Sequence, residues 1–230
     1  MAISYEALLP QILPMVSGCP DTLVENSIRS SVIELCEKAS VYQAELDPVT
    51  TVANIHEYDL EPPSGTTIQK VLWVTHLGKD LEPITTSLLE QRLPNWRDSA
   101  NFTVPKYFIK QTSAVFWLVP TPAATAVSST IIRAVLKPTH NSTSCDDDVM
   151  NDYRDTIVNG ALFRLLRIPN KDWTDFNGAS VYGSLFNQAV VEAERRARQG
   201  DTGVARKVNY AGTSSGAWRT RRNRYGREFG

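Results

Sequence analysis

The sequence is short of the residues that most often carry chemistry. Its 230 residues include only three histidines and three cysteines. Cys19, Cys36 and Cys145 are odd in number, widely spaced and without a C-x-x-C pair. That argues against a disulfide framework or a zinc site and fits a reducing compartment. No run of about 18 apolar residues occurs, so no membrane span is expected. The opening Met1-Ala2-Ile3-Ser4-Tyr5 lacks a basic stretch followed by an apolar one, so no signal peptide is expected either. Without secretion, the glycosylation-like Asn101-Phe102-Thr103 and Asn141-Ser142-Thr143 carry no meaning. There is no internal repeat, and no glycine-rich phosphate loop, dinucleotide fingerprint or G-x-S-x-G turn.

The few chemistry-bearing residues have plain alternatives. His56-Glu57-Tyr58-Asp59-Leu60 begins like a zinc-protease motif but has no histidine at position 60, and it lies in strand-like sequence; a polar strand edge explains it. His140 and Cys145 share a loop with no third orienting group, which leaves a Cys/His nucleophile pair unsupported. Asp146-Asp147-Asp148 offers carboxylates to a cation, but acidic residues at a helix start are already accounted for by the helix dipole. Paired carboxylates cannot be picked out among 25 acidic residues. These absences predict a protein that is not an enzyme and has no catalytic residue, cofactor or metal.

What is present is a core and a marked division of charge. Hydrophobic residues make up 42% of the chain, enough for a proper core. Residues 200–230 carry Arg206, Lys207, Arg219, Arg221, Arg222, Arg224 and Arg227 against Asp201 and Glu228, a surplus of five positive charges. The whole chain has 24 basic and 25 acidic residues, so the remainder carries a surplus of six negative ones.

Apolar periodicity divides the body into three. Tyr5 to Val16 reads as a short helix interrupted by Pro10 and Pro14. Leu23, Val24, Ile28, Val32, Leu35, Cys36, Ala39 and Tyr42 then recur at helical spacing and predict an amphipathic helix over 21–46. From 49 to 138 the chain alternates strand-like runs with turn signals. Strands are expected at 51–60, 66–77, 106–110, 114–119 and 128–136, with a short helix at 87–93. Their short links suggest an antiparallel sandwich or barrel.

Helices return after Pro138. Ser144 and Asp147 have the spacing of a capping box. Val149, Tyr153, Ile157, Ala161 and Leu165 define one helix to Ile168. A second runs from Asp175 to Gln199 with Tyr182, Leu185, Phe186, Ala189 and Val190 as its apolar stripe. Their short connection predicts an antiparallel hairpin. Gly160 is expected where the first helix closely approaches a neighbour, because a mid-helix glycine otherwise costs about 1 kcal/mol. The resulting fold class is α+β: a helical bundle from 1–48 and 139–199, a β-rich insertion at 49–138, and an extended arm at 200–230.

The arm mixes Gly, Ser and Thr with single aromatics and arginines and cannot bury enough apolar surface to fold alone. Arginines and aromatics are what protein interfaces enrich. A docking role is therefore assigned to Arg206, Lys207, Tyr210, Trp218, Arg219, Arg221, Arg222, Arg224, Tyr225, Arg227 and Phe229. The same interleaving also suits single-stranded nucleic acid, and a merely solvated end stays open as well.

Two segments resemble a known family. The run Leu9-Pro10-Gln11-Ile12-Leu13-Pro14-Met15-Val16-Ser17-Gly18-Cys19-Pro20-Asp21, followed by Ile28-Arg29 and Ile33-Glu34-Leu35-Cys36, resembles the opening of tailed-phage neck proteins. Asp155-Thr156-Ile157-Val158-Asn159-Gly160-Ala161-Leu162-Phe163-Arg164-Leu165-Leu166, with Trp173 and Phe186 to Ala193, resembles their closing helical hairpin. Leu118-Val119-Pro120-Thr121-Pro122 and Leu136-Lys137-Pro138-Thr139 extend the likeness over nearly all of 5–199. It implies the head-to-tail adaptor family that includes tail tubular A-type proteins. The expectation that follows is a structural subunit of the virion neck, assembled in the host cytoplasm. It would form a ring, commonly dodecameric, between the portal protein and a downstream tail or nozzle protein. Phage DNA would pass through the lumen without specific binding, and the arm would grip the portal or a neighbouring subunit. A tail-completion or stopper protein, and a nucleic-acid-binding module using the basic tail, are the other readings.

Overall fold

The computed structural model describes residues 2–199. A short strand β1 (Ala2–Ser4) opens the chain, and Pro10 and Pro14 fall at the starts of single turns: a 3-10 turn at Tyr5–Leu8, α1 (Leu9–Ile12) and a second 3-10 turn at Leu13–Met15. Proline tolerates these positions because no intrahelical N–H is asked of it there. Helix α2 (Asp21–Ala39) buries Val24, Ile28, Val32, Leu35, Cys36 and Ala39 along one face.

Helix α2 stops well short of the expected residue 46. Ser40 adopts the left-handed conformation (φ 54°, ψ 38°) while its N–H donates to Cys36 O at 3.0 Å. Residues Gln43–Glu45 then form β2 and pair with a long strand. Tyr42, which matched the helical spacing, leaves the helix and packs where the helical and β cores meet.

The middle of the chain forms β3 (Val49–Thr51), β4 (Glu57–Asp59), β5 (Thr66–His76), β6 (Lys79–Asp80), β7 (Glu82–Pro83), α3 (Thr86–Arg92), β8 (Tyr107–Lys110), β9 (Val115–Val119) and β10 (Ala126–Pro138). The single strand expected over 51–60 is two strands in different sheets. The chain reverses between them through Asn54 (φ 66°), and the Tyr58 hydroxyl fastens the turn by donating to Ile55 O at 2.7 Å. One sheet has the order β2-β10-β5-β6, with β3 also on β10; the other has β4-β9-β8-β7. All pairs among these are antiparallel except β7 with β8, which departs from the all-antiparallel expectation. Leu46, Ile68, Val74, Ile132 and Leu136 from the first sheet share a core with Tyr58, Phe108, Phe116 and Leu118 from the second. Burying each such side chain contributes about 1.5–3 kcal/mol. A third cluster lies beneath α3, where Leu89 and Trp96 cover Ile109 and Val119 of the second sheet.

The chain then forms β11 (Ser144–Asp146), α4 (Asp147–Asp152), α5 (Arg154–Leu165) and α6 (Phe176–Gln199). Ser144 caps no helix; it pairs with Ser4 as β1 and β11 join in a two-stranded ladder, and α4 begins without a side-chain cap. Tyr153 (φ −114°, ψ 23°) separates α4 from α5, so the expected single helix is broken. On α6 the buried positions are Ala179, Gly183, Phe186, Val190 and Ala193. Leu185, expected in that stripe, is 44% exposed. The stripe is set by the small residues that let α6 approach its neighbours, which rotates Leu185 outward. Residues of α1, α2, α4, α5 and α6 share one apolar core, to which Cys36 and Cys145 belong. Among the described residues no helix is long and apolar enough to cross a membrane.

Candidate docking surfaces

The arm residues Arg206, Lys207, Tyr210, Trp218, Arg219, Arg221, Arg222, Arg224, Tyr225, Arg227 and Phe229 lie outside the described residues. What the structure supplies is the surface of the body and the surroundings of its histidines, cysteines and acidic clusters.

His56-Glu57-Tyr58-Asp59-Leu60 is the edge strand β4 and its flanks. His56 is held edge-on against Trp96 and Trp117, with ring centroids 5.2 and 5.4 Å away. Glu57 accepts the Trp117 indole N–H at 3.1 Å, and Tyr58 is buried between the sheets. These residues are spent on packing and on the strand edge. Cys145 is buried in the helical core while His140 is exposed on a turn, so they form no nucleophile pair. Contact with Cys145 and burial together hold the Cys36 thiol well above its ordinary pKa, as suits an inert core cysteine. His76 is buried, its Nδ1 lies 2.9 Å from Thr130 Oγ1, and desolvation lowers its pKa.

Asp146, Asp147 and Asp148 bring one ligand atom each within 4.8 Å of one another. They stand at the start of α4, where carboxylates complement the unpaired N–H groups. Burial, followed by the neighbouring Asp147 and Asp148, raises the pKa of Asp146.

The helices are locked by a charge that the sequence did not single out. Arg164 of α5 donates to Ser31 Oγ and to Gly160 O, both at 2.8 Å, and pairs with Glu34 of α2. Its guanidinium also lies 5.7 Å from the centre of the Phe186 ring on α6. One side chain thus joins three helices. Lys110 plays a similar part in the sheets, reaching Ile68 O at 2.9 Å and Gln69 O at 2.5 Å. Burial, with Lys137 nearby, lowers its pKa.

Two stretches of the outer surface bear on docking. Alpha6 shows solvent an apolar side with Val181, Leu185 and Val191. The β4 edge is acidic: Glu57, Asp59 and Glu61 are all exposed and alternate with the buried Tyr58 and Leu60. The sequence reading of 56–60 as a polar strand edge holds: β4 stands at the end of its sheet.

The family model for the SU10 adaptor protein matches residues 15–208. The chain belongs to the SU10 adaptor family, a family of phage head-to-tail adaptors. No curated protein matches it. The span shared with the family takes in every element from α2 to α6 and continues through Arg206 and Lys207, but ends before Tyr210. As an SU10-type adaptor, the chain is a structural phage protein from a family whose members interact with other head and tail proteins and with copies of themselves.

Proposed function

We propose that this adaptor is one subunit of a ring, commonly dodecameric in such proteins, set between the portal and the tail of a phage particle. The ring forms part of the passage for DNA, touches a downstream tail or nozzle protein, and is assembled in the cytoplasm of the bacterial host. Within the subunit, 1–48 and 139–199 form the helical bundle, 49–138 is the β-rich insertion, and 200–230 is the arm that docks on the portal or on a neighbouring subunit. The protein performs no catalysis.

The family match over 15–208 carries this reading. The physics of the chain supports it. A closed ring is built from heterologous contacts, in which a surface of one copy fits a different surface of the next. An acidic body and a basic arm on the same chain are complementary in that way. A surplus of negative charge on the body also suits a channel that must release phosphates instead of holding them.

The test is mass photometry of the purified full-length chain, alone and mixed with its cognate portal ring, repeated without residues 201–230. The reading expects the full chain to join the portal in a fixed stoichiometry and the shortened one to fail. Failure of both to bind assigns the protein to a stopper or tail-completion layer, or to DNA binding if its DNA affinity falls steeply with salt.

A further inference from the structure

We propose that the free edge of β4 is the docking line for residues 219–227 of a second copy of this chain. The proposal rests on the ring reading above and names the partner surface of its arm.

Strand β4 is at the end of its sheet, with β9 on one side only. His56 O accepts from Leu118 N at 2.9 Å and Leu60 N donates to Ala114 O at 2.6 Å. Glu57 and Asp59 stand opposite Trp117 and Val115 in the intervening register. In an antiparallel ladder this turns the N–H and C=O groups of Glu57 and Asp59 away from β9. An edge that offers such groups is a template for another strand. The side chains of the same two residues are exposed carboxylates, and Glu61 continues the row. None of the three forms an ion pair among the described residues; Glu57 accepts only the neutral Trp117 indole. Beside the edge is a concavity of about 290 Å³ lined by Asp47, Val49, Thr50, Asp59 and Glu61, with no basic residue in its wall.

This row does not suit a single cation. Among the described residues, only Asp146, Asp147 and Asp148 bring three ligand atoms within 4.8 Å of one another. Carboxylates at every second residue of a strand repeat at roughly 6.6–6.8 Å, which matches a row of cations with the same repeat. The arm offers two cations at that repeat, Arg219 and Arg221; Asn223 and Tyr225 continue the same phase, and Arg227 follows three repeats beyond Arg221. In an extended strand these side chains share one face. The Arg219 and Arg221 guanidinium groups can then each grip a carboxylate of the row through two hydrogen bonds while the backbones pair. Residues 200–218 can span up to roughly 60 Å when extended, well beyond the radius of gyration of roughly 16 Å for a body of this size. That reach carries the arm to the next copy. In a ring every copy then offers one edge and one arm, and the contacts close on themselves.

The test uses two full-length chains, one with Asp59→Cys and the other with Arg221→Cys, mixed with the portal ring under a glutathione redox buffer. Native Cys19, Cys36 and Cys145 are buried and stay silent. We expect a disulfide-linked dimer of the two chains, several-fold above a control carrying Lys79→Cys in place of Asp59→Cys. No excess over that control overturns the proposal.

In parallel, the E57K/D59K/E61K chain should lose assembly at least tenfold in subunit concentration. Adding R219E/R221E should restore a large part of it. Should the first triple variant not melt cooperatively, E57Q/D59N/E61Q takes its place, with a smaller loss expected. If the reversed edge assembles normally, the docking line is wrong while the adaptor reading stands. If the unaltered chain joins neither a ring nor a portal, the adaptor reading falls first and takes the docking line with it.

Discussion

Phe186 of α6 lies directly on Gly160 of α5: a Cβ at position 160 would stand 2.8 Å from two of its ring carbons and 2.9 Å from Ser31 Oγ. The relation is reciprocal, since a Cβ at Gly183 of α6 would meet the Phe163 ring at 2.7 Å. Each helix gives up a side chain so that the other can lay an aromatic ring on its backbone. Gly160→Ala gains about 1 kcal/mol of helix propensity, but overpacking a close contact costs about 1–3 kcal/mol. The ring and Ser31 are both confined by core packing, so the cost prevails. We expect a net loss of up to about 2 kcal/mol in urea unfolding. Phe186→Leu should recover part of it when combined with Gly160→Ala, a non-additive outcome that a purely local helix effect would not give.

The Glu34–Arg164 pair makes stability depend on acid. Burial acts to raise the Glu34 pKa, but hydrogen bonding and charge from Lys38 and Arg164 outweigh it, and the folded pKa lies below the ordinary value. A carboxylate with a depressed folded pKa contributes stability that is fully present above its unfolded pKa, about 4.3. That contribution is lost as pH falls through the lower folded value. Urea midpoints measured from pH 6 to pH 3 should fall for the unaltered chain, and less steeply for Glu34→Gln. Arg164→Met should flatten the same limb. At pH 7 it should also destabilise the fold, because Ser31, Gly160 O and Glu34 all lose their donor.

The end of α2 predicts an order of stabilities. Ser40 has φ 54°, where a Cβ is disfavoured and a β-branched one more so. Ser40→Gly should leave the melting temperature unchanged or slightly higher, since relief of strain is offset by the greater freedom of glycine in the unfolded chain. Ser40→Val should lower stability by about 1–2 kcal/mol. Thermal melts of the three chains check the order Gly, Ser, Val.

The same residue shows where sequence reading stops. Ile28, Val32, Leu35 and Ala39 announce α2 by spacing alone, and Tyr42 continues that spacing by coincidence. What ends the helix is the pairing of Gln43–Glu45 with residues Arg133–Val135, some ninety positions away, and no local signal carries such a partner. The division of 51–60 between two sheets and the pairing of Ala2–Ser4 with Ser144–Asp146 were hidden for the same reason. Gly160 was legible because a helical glycine calls for a contact. Gly183 obeys the same rule, and its Phe163 partner follows once α5 and α6 are antiparallel. The polarity of 56–60 marked a strand edge, but that β9 is its one neighbour follows only from the sheet order, because the partner lies some sixty residues away.

At the start of α6 two residues are matched so closely that each should decide the effect of changing the other. Asp175 Oδ1 accepts from the N–H groups of Asn177 and Gly178, both at 3.0 Å, which caps the helix. The carboxylate fits because position 178 has no side chain: a Cβ there would stand 2.3 Å from Asp175 Oδ2. Asp175→Ala removes the cap and should cost about 1 kcal/mol. Gly178→Ala alone gains about 1 kcal/mol of helix propensity but drives its methyl into the carboxylate, so the cap swings out at a similar cost and the two effects should nearly cancel. In the double variant the obstruction is gone while the propensity gain of about 1 kcal/mol remains. The double variant should therefore be more stable than Asp175→Ala alone. A double-mutant cycle in urea should give a coupling of about 1 kcal/mol or more between the two positions. Simple additivity would mean that the carboxylate caps the helix from a position clear of residue 178.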